Sequence, residues 1–187
     1  MNPEELSPEL AAEATDTEAQ LSAAYPELEK LKAANEALRE QGKEWLLSTL
    51  ENIGDELNLK LAPQPSQTEI PAPPALQIGS QDWQFEVEKN VMVGERLGIR
   101  YRGQTLLVEV GWPRKPEHGI VPDLGLARAR VSLSPNVMID ALLLDELTLR
   151  REKNSDRVVW YVLAAHSVRE IVTEEKLRAY VERAMAE

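Results

Sequence analysis

His118 and His166 are the side chains best suited to metal binding or to general-base work, and they stand in different stretches without HxH, HExxH or HxxE spacing. Glu117, His118 and Asp123 share one short segment and would offer the nitrogen and oxygen donors that zinc or manganese accepts. That segment also holds Pro116, Gly119, Pro122 and Gly125, and a turn-rich loop carries such polar residues for solubility alone. No metal ligand is assigned. Asp140, Asp145 and Glu146 bring carboxylates together, but adjacent strand residues point to opposite faces, so Asp145 and Glu146 do not flank one bond. Asp145 shares the parity of Leu143, Leu147 and Leu149, which a bulge, a strand end or an edge would explain. Serine nucleophiles need a base and an oxyanion feature, and neither GxSxG nor SxxK occurs. GxGxxG and GxxxxGK are also missing, and Val93-Gly94-Glu95-Arg96 puts an acid where a phosphate would sit. Cysteine is absent, which removes disulfides, thiolate metal sites and thiol nucleophiles. The chain is therefore read as a non-enzyme with no catalytic residue and no cofactor.

Basic residues form the more informative cluster. Residues 96–130 hold Arg96, Arg100, Arg102, Arg114, Lys115, Arg128 and Arg130 against Glu109, Glu117 and Asp123, a local net of +4. Trp112 stands beside Arg114 and Lys115 in a segment read as a proline-bounded loop, and tryptophan and arginine are enriched where proteins grip one another. If the strands pair, Arg100, Arg102, Arg128 and Arg130 share a polar sheet face. Three readings compete: ordinary solvated arginines, a site for an acidic protein segment such as the chain's own N-terminal arm, and a nucleic-acid patch.

Those residues must be positioned by a chain of 187 residues with a net charge of -11 and 43% hydrophobic content, enough for one ordinary domain with a tail or for two small ones. No window holds the ~20 consecutive apolar residues of a membrane span, and the start is acidic rather than basic then apolar, so a soluble, unsecreted protein is expected. Residues 1–60 carry 14 acidic and 5 basic side chains, whereas residues 91–187 are nearly balanced. A polyanionic arm repels nucleic acid.

Residues 1–25 are polar and acidic with only Leu6, Leu10 and Leu21 as large apolar residues after Met1, which predicts a largely disordered arm with short helices. Ser7-Pro8 and Thr15 to Glu18 are local helix-start signals, and Pro26 is expected to end any helix arriving through Tyr25 while opening a new one. From Pro26 to about Leu59, Leu28, Leu31, Leu38, Trp45, Leu46, Leu50, Ile53 and Leu57 recur at helical spacing and predict a long amphipathic helix over residues 26–60. Leu31, Leu38 and Trp45 occupy one heptad position; Leu28, Asn35 and Gly42 occupy the other, where Gly42 packs nothing and costs up to ~1 kcal/mol. This stripe docks on the chain's own C-terminal domain or another subunit's, self-associates, or captures an unrelated partner. Residues 61–80 include Pro63, Pro65, Pro71, Pro73 and Pro74 and read as an extended linker, spanning up to ~55 Å from Ala62 to Gly79.

Past Ser80 the period becomes two. Trp83, Phe85 and Val87 alternate with polar residues as a strand with one buried face. Leu97, Ile99 and Tyr101 are followed by a turn at Arg102 to Gln104 and by Leu106, Val108, Val110 and Trp112, a hairpin. Residues 113–125 read as a loop and 127–133 as a strand. Residues 141–151 and 157–165 form a second hairpin whose last strand, apolar on both sides, is expected to be central. Thr173 with Glu174 and Glu175 starts a helix whose stripe is Leu177, Tyr180, Val181, Ala184 and Met185. The expectation is an α+β protein with a C-terminal antiparallel sheet of about six strands over residues 81–187 and a terminal helix packed on it. This order of long helix, strands and final helix is loosely similar to acidic type III secretion chaperones, a likeness of topology without a motif.

The function expected is protein interaction, as an assembly factor, adaptor or chaperone-like protein in the cytoplasm. Its partner, another protein or its own subunits, would meet Leu31, Leu38, Trp45, Leu46, Trp112, Arg114, Lys115, Arg128 and Arg130, with homo-oligomers possible through residues 26–60. One alternative is a structural subunit of a phage or other large particle, located in the virion. A second is nucleic-acid binding through the sheet arginines.

Overall fold

The computed structural model describes residues 8–61, 75–87, 90–114, 125–135, 140–152, 155, 157–164 and 167–186. The chain is α+β. Helix α1 (Pro8–Leu61) is followed by β1 (Gln77–Val87), β2 (Asn90–Tyr101), β3 (Gln104–Pro113), β4 (Ala127–Ser134), β5 (Leu142–Arg151), β6 (Val158–Ala164), β7 (Ser167–Ile171) and helix α2 (Glu174–Ala186). The seven strands among the described residues form one antiparallel meander in the order β1-β2-β3-β4-β5-β6-β7. Contacts divide the chain into two units, Met1–Ala37 and Leu38–Glu187.

In the first unit α1 passes through Pro26, where the sequence suggested a break. Proline removes one intrahelical hydrogen bond, but the Ala-, Glu- and Leu-rich turns on both sides are strong helix formers and keep theirs. Among the described residues the helix runs from Pro8. Tyr25, Leu28 and Leu31 are 65%, 47% and 54% exposed. Lys30 and Lys32 pair with Glu27 and Glu29 at 2.8 and 2.9 Å one turn back.

In the second unit the rest of α1 lies on one face of the sheet. Leu46, Leu50, Ile53 and Leu57 are buried with Leu97, Ile99, Leu106, Val108, Ala129, Val131, Leu147 and Leu149 in one core. Each buried Leu, Ile and Val among them contributes roughly 1.5–3 kcal/mol by leaving water. The stripe's mate over these residues is thus the chain's own sheet. Gly42 is a point of close approach: a Cβ there would come within 2.6 Å of Leu149 Cδ1, and the Trp160 indole N–H donates to the Gly42 carbonyl at 2.8 Å. It is a packing position, not the wasted one the heptad suggested. Asn58 brackets the backbone of Leu76, accepting from its N–H at 2.6 Å and donating to its carbonyl at 3.1 Å. The proline-rich residues 62–74 between them lie outside the described residues, and β1 starts at Gln77, within the range read as spacer.

Helix α2 covers the same face through Leu177, Tyr180, Val181 and Ala184, the predicted stripe. Thr173 caps it, its hydroxyl accepting from the Lys176 N–H at 3.3 Å. Arg178 reaches Glu56 of α1 at 2.8 Å. The β2–β3 turn falls at Arg102 and Gly103 as expected, with Arg102 in the left-handed region at φ 55°. A register shift between Val131 and Ser132 makes Leu144 the extra residue of a bulge, one of the three explanations the sequence offered; it moves Leu143 to the other face and leaves Asp145 with Leu147 and Leu149 on the helix-covered side, where it accepts from the Tyr180 hydroxyl. The seventh strand, β7, is short and charged, so its pattern was silent in the sequence; it makes β6 the second strand from the edge instead of a central one.

Candidate interaction face

Strand register defines what stands on the face opposite the helices. One cross-strand row runs Trp83, Gly94, Gly111, Arg128, Thr148, Tyr161; the next runs Gln81, Arg96, Glu109, Arg130, Glu146, Leu163. Beyond these lie Gly79, Gly98, Leu107, Ser132, Leu143, and then Gln77, Arg100, Thr105, Ser134. Strand β1 changes its apolar side partway along. Leu76 and Ile78 enter the helix-side core, whereas Trp83 and Phe85 sit half-buried on the opposite face. Period-two alternation finds a strand but does not say which face the core covers. The Phe85 ring leans over Gly111, where a Cβ would meet its Cε1 at 2.9 Å, and packs on Met92. The Trp83 ring lies under the Arg96 guanidinium at 4.4 Å, and Phe85 under that of Arg130 at 5.6 Å, contacts worth about 0.5–1 kcal/mol each near a surface.

The predicted binding residues separate. Arg128 is 3% exposed, and Glu146 sits 3.7 Å both from it and from Arg130. Arg128 therefore braces the face from within instead of presenting itself to a partner, and Arg130 is half-buried. Trp112 is in β3, not in a loop, because the strand continues to Pro113; its ring packs on the helix-side core with Lys43 Nζ at 5.9 Å. Burial pulls the Lys43 ammonium down, but the hydrogen bonds and charges of Glu40 and Glu95 outweigh it and its pKa lies above the ordinary value. Arg114 is exposed, and its backbone N–H donates to Val91 at 3.1 Å, prolonging the β2–β3 pairing. Lys115 lies outside the described residues, as do Glu117, His118, Asp123 and His166. On α1, Leu31 is exposed, Leu38 half-buried and Trp45 41% exposed, whereas Leu46 is fully buried and offers no surface.

What the face does present is an arginine corner. Arg96, Arg100, Gly103, Thr105, Leu107, Ser134 and Pro135 line a hollow of about 420 Å³. Arg96 also borders a second hollow of about 350 Å³ over Gly79 and Gly98. A Cβ at Gly79 would meet nothing within 4 Å, and the nearest atom to one at Gly98 is 3.8 Å away, so the paired glycines leave open space above bare backbone. Arg100 is exposed and Arg96 partly so. Guanidinium groups beside hydroxyls and an apolar patch suit carboxylates carried on a polypeptide. Arg96 and Arg100 were legible as charges; only the register shows that they, and not Arg128, edge the hollow.

Asp145 and Glu146 face opposite sides, as strand geometry requires. Among the described residues no cluster of three or more His, Asp or Glu is placed to hold a metal ion. No helix among the described residues is long and apolar enough to cross a membrane. No family model, curated protein or solved structure matches the chain.

Proposed function

We propose that the protein is a non-enzymatic interaction protein, an assembly factor, adaptor or chaperone-like protein of the cytoplasm, that holds an acidic polypeptide segment at the arginine corner. The observation that carries this reading is the hollow edged by Arg96 and Arg100, with Thr105, Ser134 and Leu107 around it. Exposed Tyr25, Leu28 and Leu31 add apolar surface on α1 for a helical partner or for self-association. The row Arg96, Glu109, Arg130, Glu146 alternates in sign across four strands, so the positive surface is confined to the corner at Arg96 and Arg100, which suits a short acidic segment better than a long phosphate backbone that would have to cross the acids.

The test is fluorescence anisotropy of the full-length protein with a labelled acidic, leucine-containing peptide and, separately, with single-stranded and duplex oligonucleotides. Peptide binding that weakens about 10-fold or more in R96A/R100A, as loss of two charge-assisted contacts requires, supports the reading. Oligonucleotide binding with the same loss transfers the face to nucleic acid. Failure to bind either probe refutes an interaction role for this corner. A ring or high oligomer by mass would favour the particle-subunit alternative.

A further inference from the structure

The acidic start of the chain and the arginine corner lie in different regions. Residues 1–24 contain Glu4, Glu5, Glu9, Glu13, Asp16 and Glu18 and no lysine or arginine. Over residues 1–37 the net charge is -7, out of -11 for the whole chain. Leu6 and Leu10 recur four residues apart among these acids, and Glu9, Glu13 and Asp16 recur at i, i+4 and i+7. That sequence is of the kind the arginine corner fits: two guanidinium groups for carboxylates, Leu107 for an aliphatic side chain, and the Gly79–Gly98 pair leaving room for a backbone to approach.

We propose that the occupant of the arginine corner is the acidic N-terminal stretch, residues 1–24, of a second copy of this chain. The inference rests on the reading that the corner accepts an acidic polypeptide, and adds which one. Each copy carries one such stretch and one such corner, so two copies exchange them reciprocally and the assembly closes with two-fold symmetry, leaving no unsatisfied corner to recruit a third. The contact is chiefly between opposite charges near the surface, so salt weakens it.

Sedimentation of the full-length protein across a concentration series tests the exchange. The expected result is a monomer–dimer equilibrium whose dissociation constant rises at least ~10-fold between low salt and ~1 M, where the screening length falls to about 3 Å. R96E/R100E, and separately E9K/E13K/D16K, should each weaken association by ~10-fold or more. An equal mixture of the two variants should regain part of it, because the lysines introduced in one meet the acidic corner of the other. R100E alone, at an exposed position, should weaken association in the same direction and guards against a misfolded double variant. A wild type that is monomeric throughout the series, or a dimer indifferent to salt and to both variants, overturns the exchange. If that monomer still binds an added acidic peptide in an Arg96- and Arg100-dependent way, the proposed function stands and only the occupant is wrong. If it binds none, the reading of the corner fails as well.

Discussion

Replacing Gly42 by alanine sets two effects of opposite sign against each other. Helix propensity alone predicts that Gly42→Ala stabilises α1 by up to ~1 kcal/mol. The packing predicts the reverse. The new methyl would lie 2.6 Å from Leu149 Cδ1, still closer to Cδ2 and 3.1 Å from Cγ, and Leu149 is fully buried, so its side chain has little space to turn. Overpacking of this kind costs typically 1–3 kcal/mol. Backing α1 away would also stretch the 2.8 Å hydrogen bond from Trp160 to the Gly42 carbonyl, worth about 1 kcal/mol net. The clash wins, and the expected net destabilisation is about 1–2 kcal/mol, a fall in Tm of roughly 2–8 °C for a chain of this size. Thermal unfolding followed by circular dichroism reads this directly. A double-mutant cycle with Leu149→Val, which shortens the obstructing side chain, should recover part of the loss as a non-additive term of about 0.5 kcal/mol or more. A Tm that rises in Gly42→Ala, or strict additivity with Leu149→Val, would refute the close approach of α1 to β5.

Asn58→Ala leaves the Leu76 N–H and carbonyl without their side-chain partners, so it should cost about 1–2 kcal/mol and speed amide exchange at Leu76 more than at Leu97 of the core. Burial, with the hydrogen bond to Asp145, holds the Tyr180 phenol above its usual value near ~10, so the fold is stabilised below that pH and loses the contribution as pH rises, because the unfolded chain ionises first. Lys176, raised chiefly by its hydrogen bond to Glu170, acts in the same direction. Tyr180→Phe should therefore flatten the alkaline loss of stability above about pH 10, as measured by denaturant midpoints over a pH series, while costing ~1 kcal/mol near neutrality.

Elements with an uninterrupted pattern were legible in the sequence. The stripe Leu177, Tyr180, Val181, Ala184 and the Leu97–Trp112 hairpin are periodic and bounded by turn or cap residues, and both stand as expected. The parity of Asp145 pointed to a bulge, a strand end or an edge, and a bulge stands next to it. Where legibility ended, the deciding fact was three-dimensional. Trp83 and Phe85 alternate correctly, but the side they bury on depends on where α1 stops covering β1, which Ile78 marks by packing near Gly54. Gly42 read as a defect because its reason, Leu149, is more than a hundred residues away in the chain. Arg128 and Arg100 are alike in one dimension; cross-strand neighbours bury the first and leave the second at the rim of the hollow. Short β7 carries too few apolar residues to announce itself against its charges.

The claim that the face opposite the helices is the interaction surface is tested most directly by backbone-amide NMR shifts of the full-length protein during titration with an acidic, leucine-containing peptide. Saturable shifts are expected to cluster at Arg96, Gly98, Arg100, Thr105, Leu107 and Ser134, with Leu177 and Val181 of α2 unmoved. Shifts confined to the helix-covered side, or none at any peptide concentration, would contradict it.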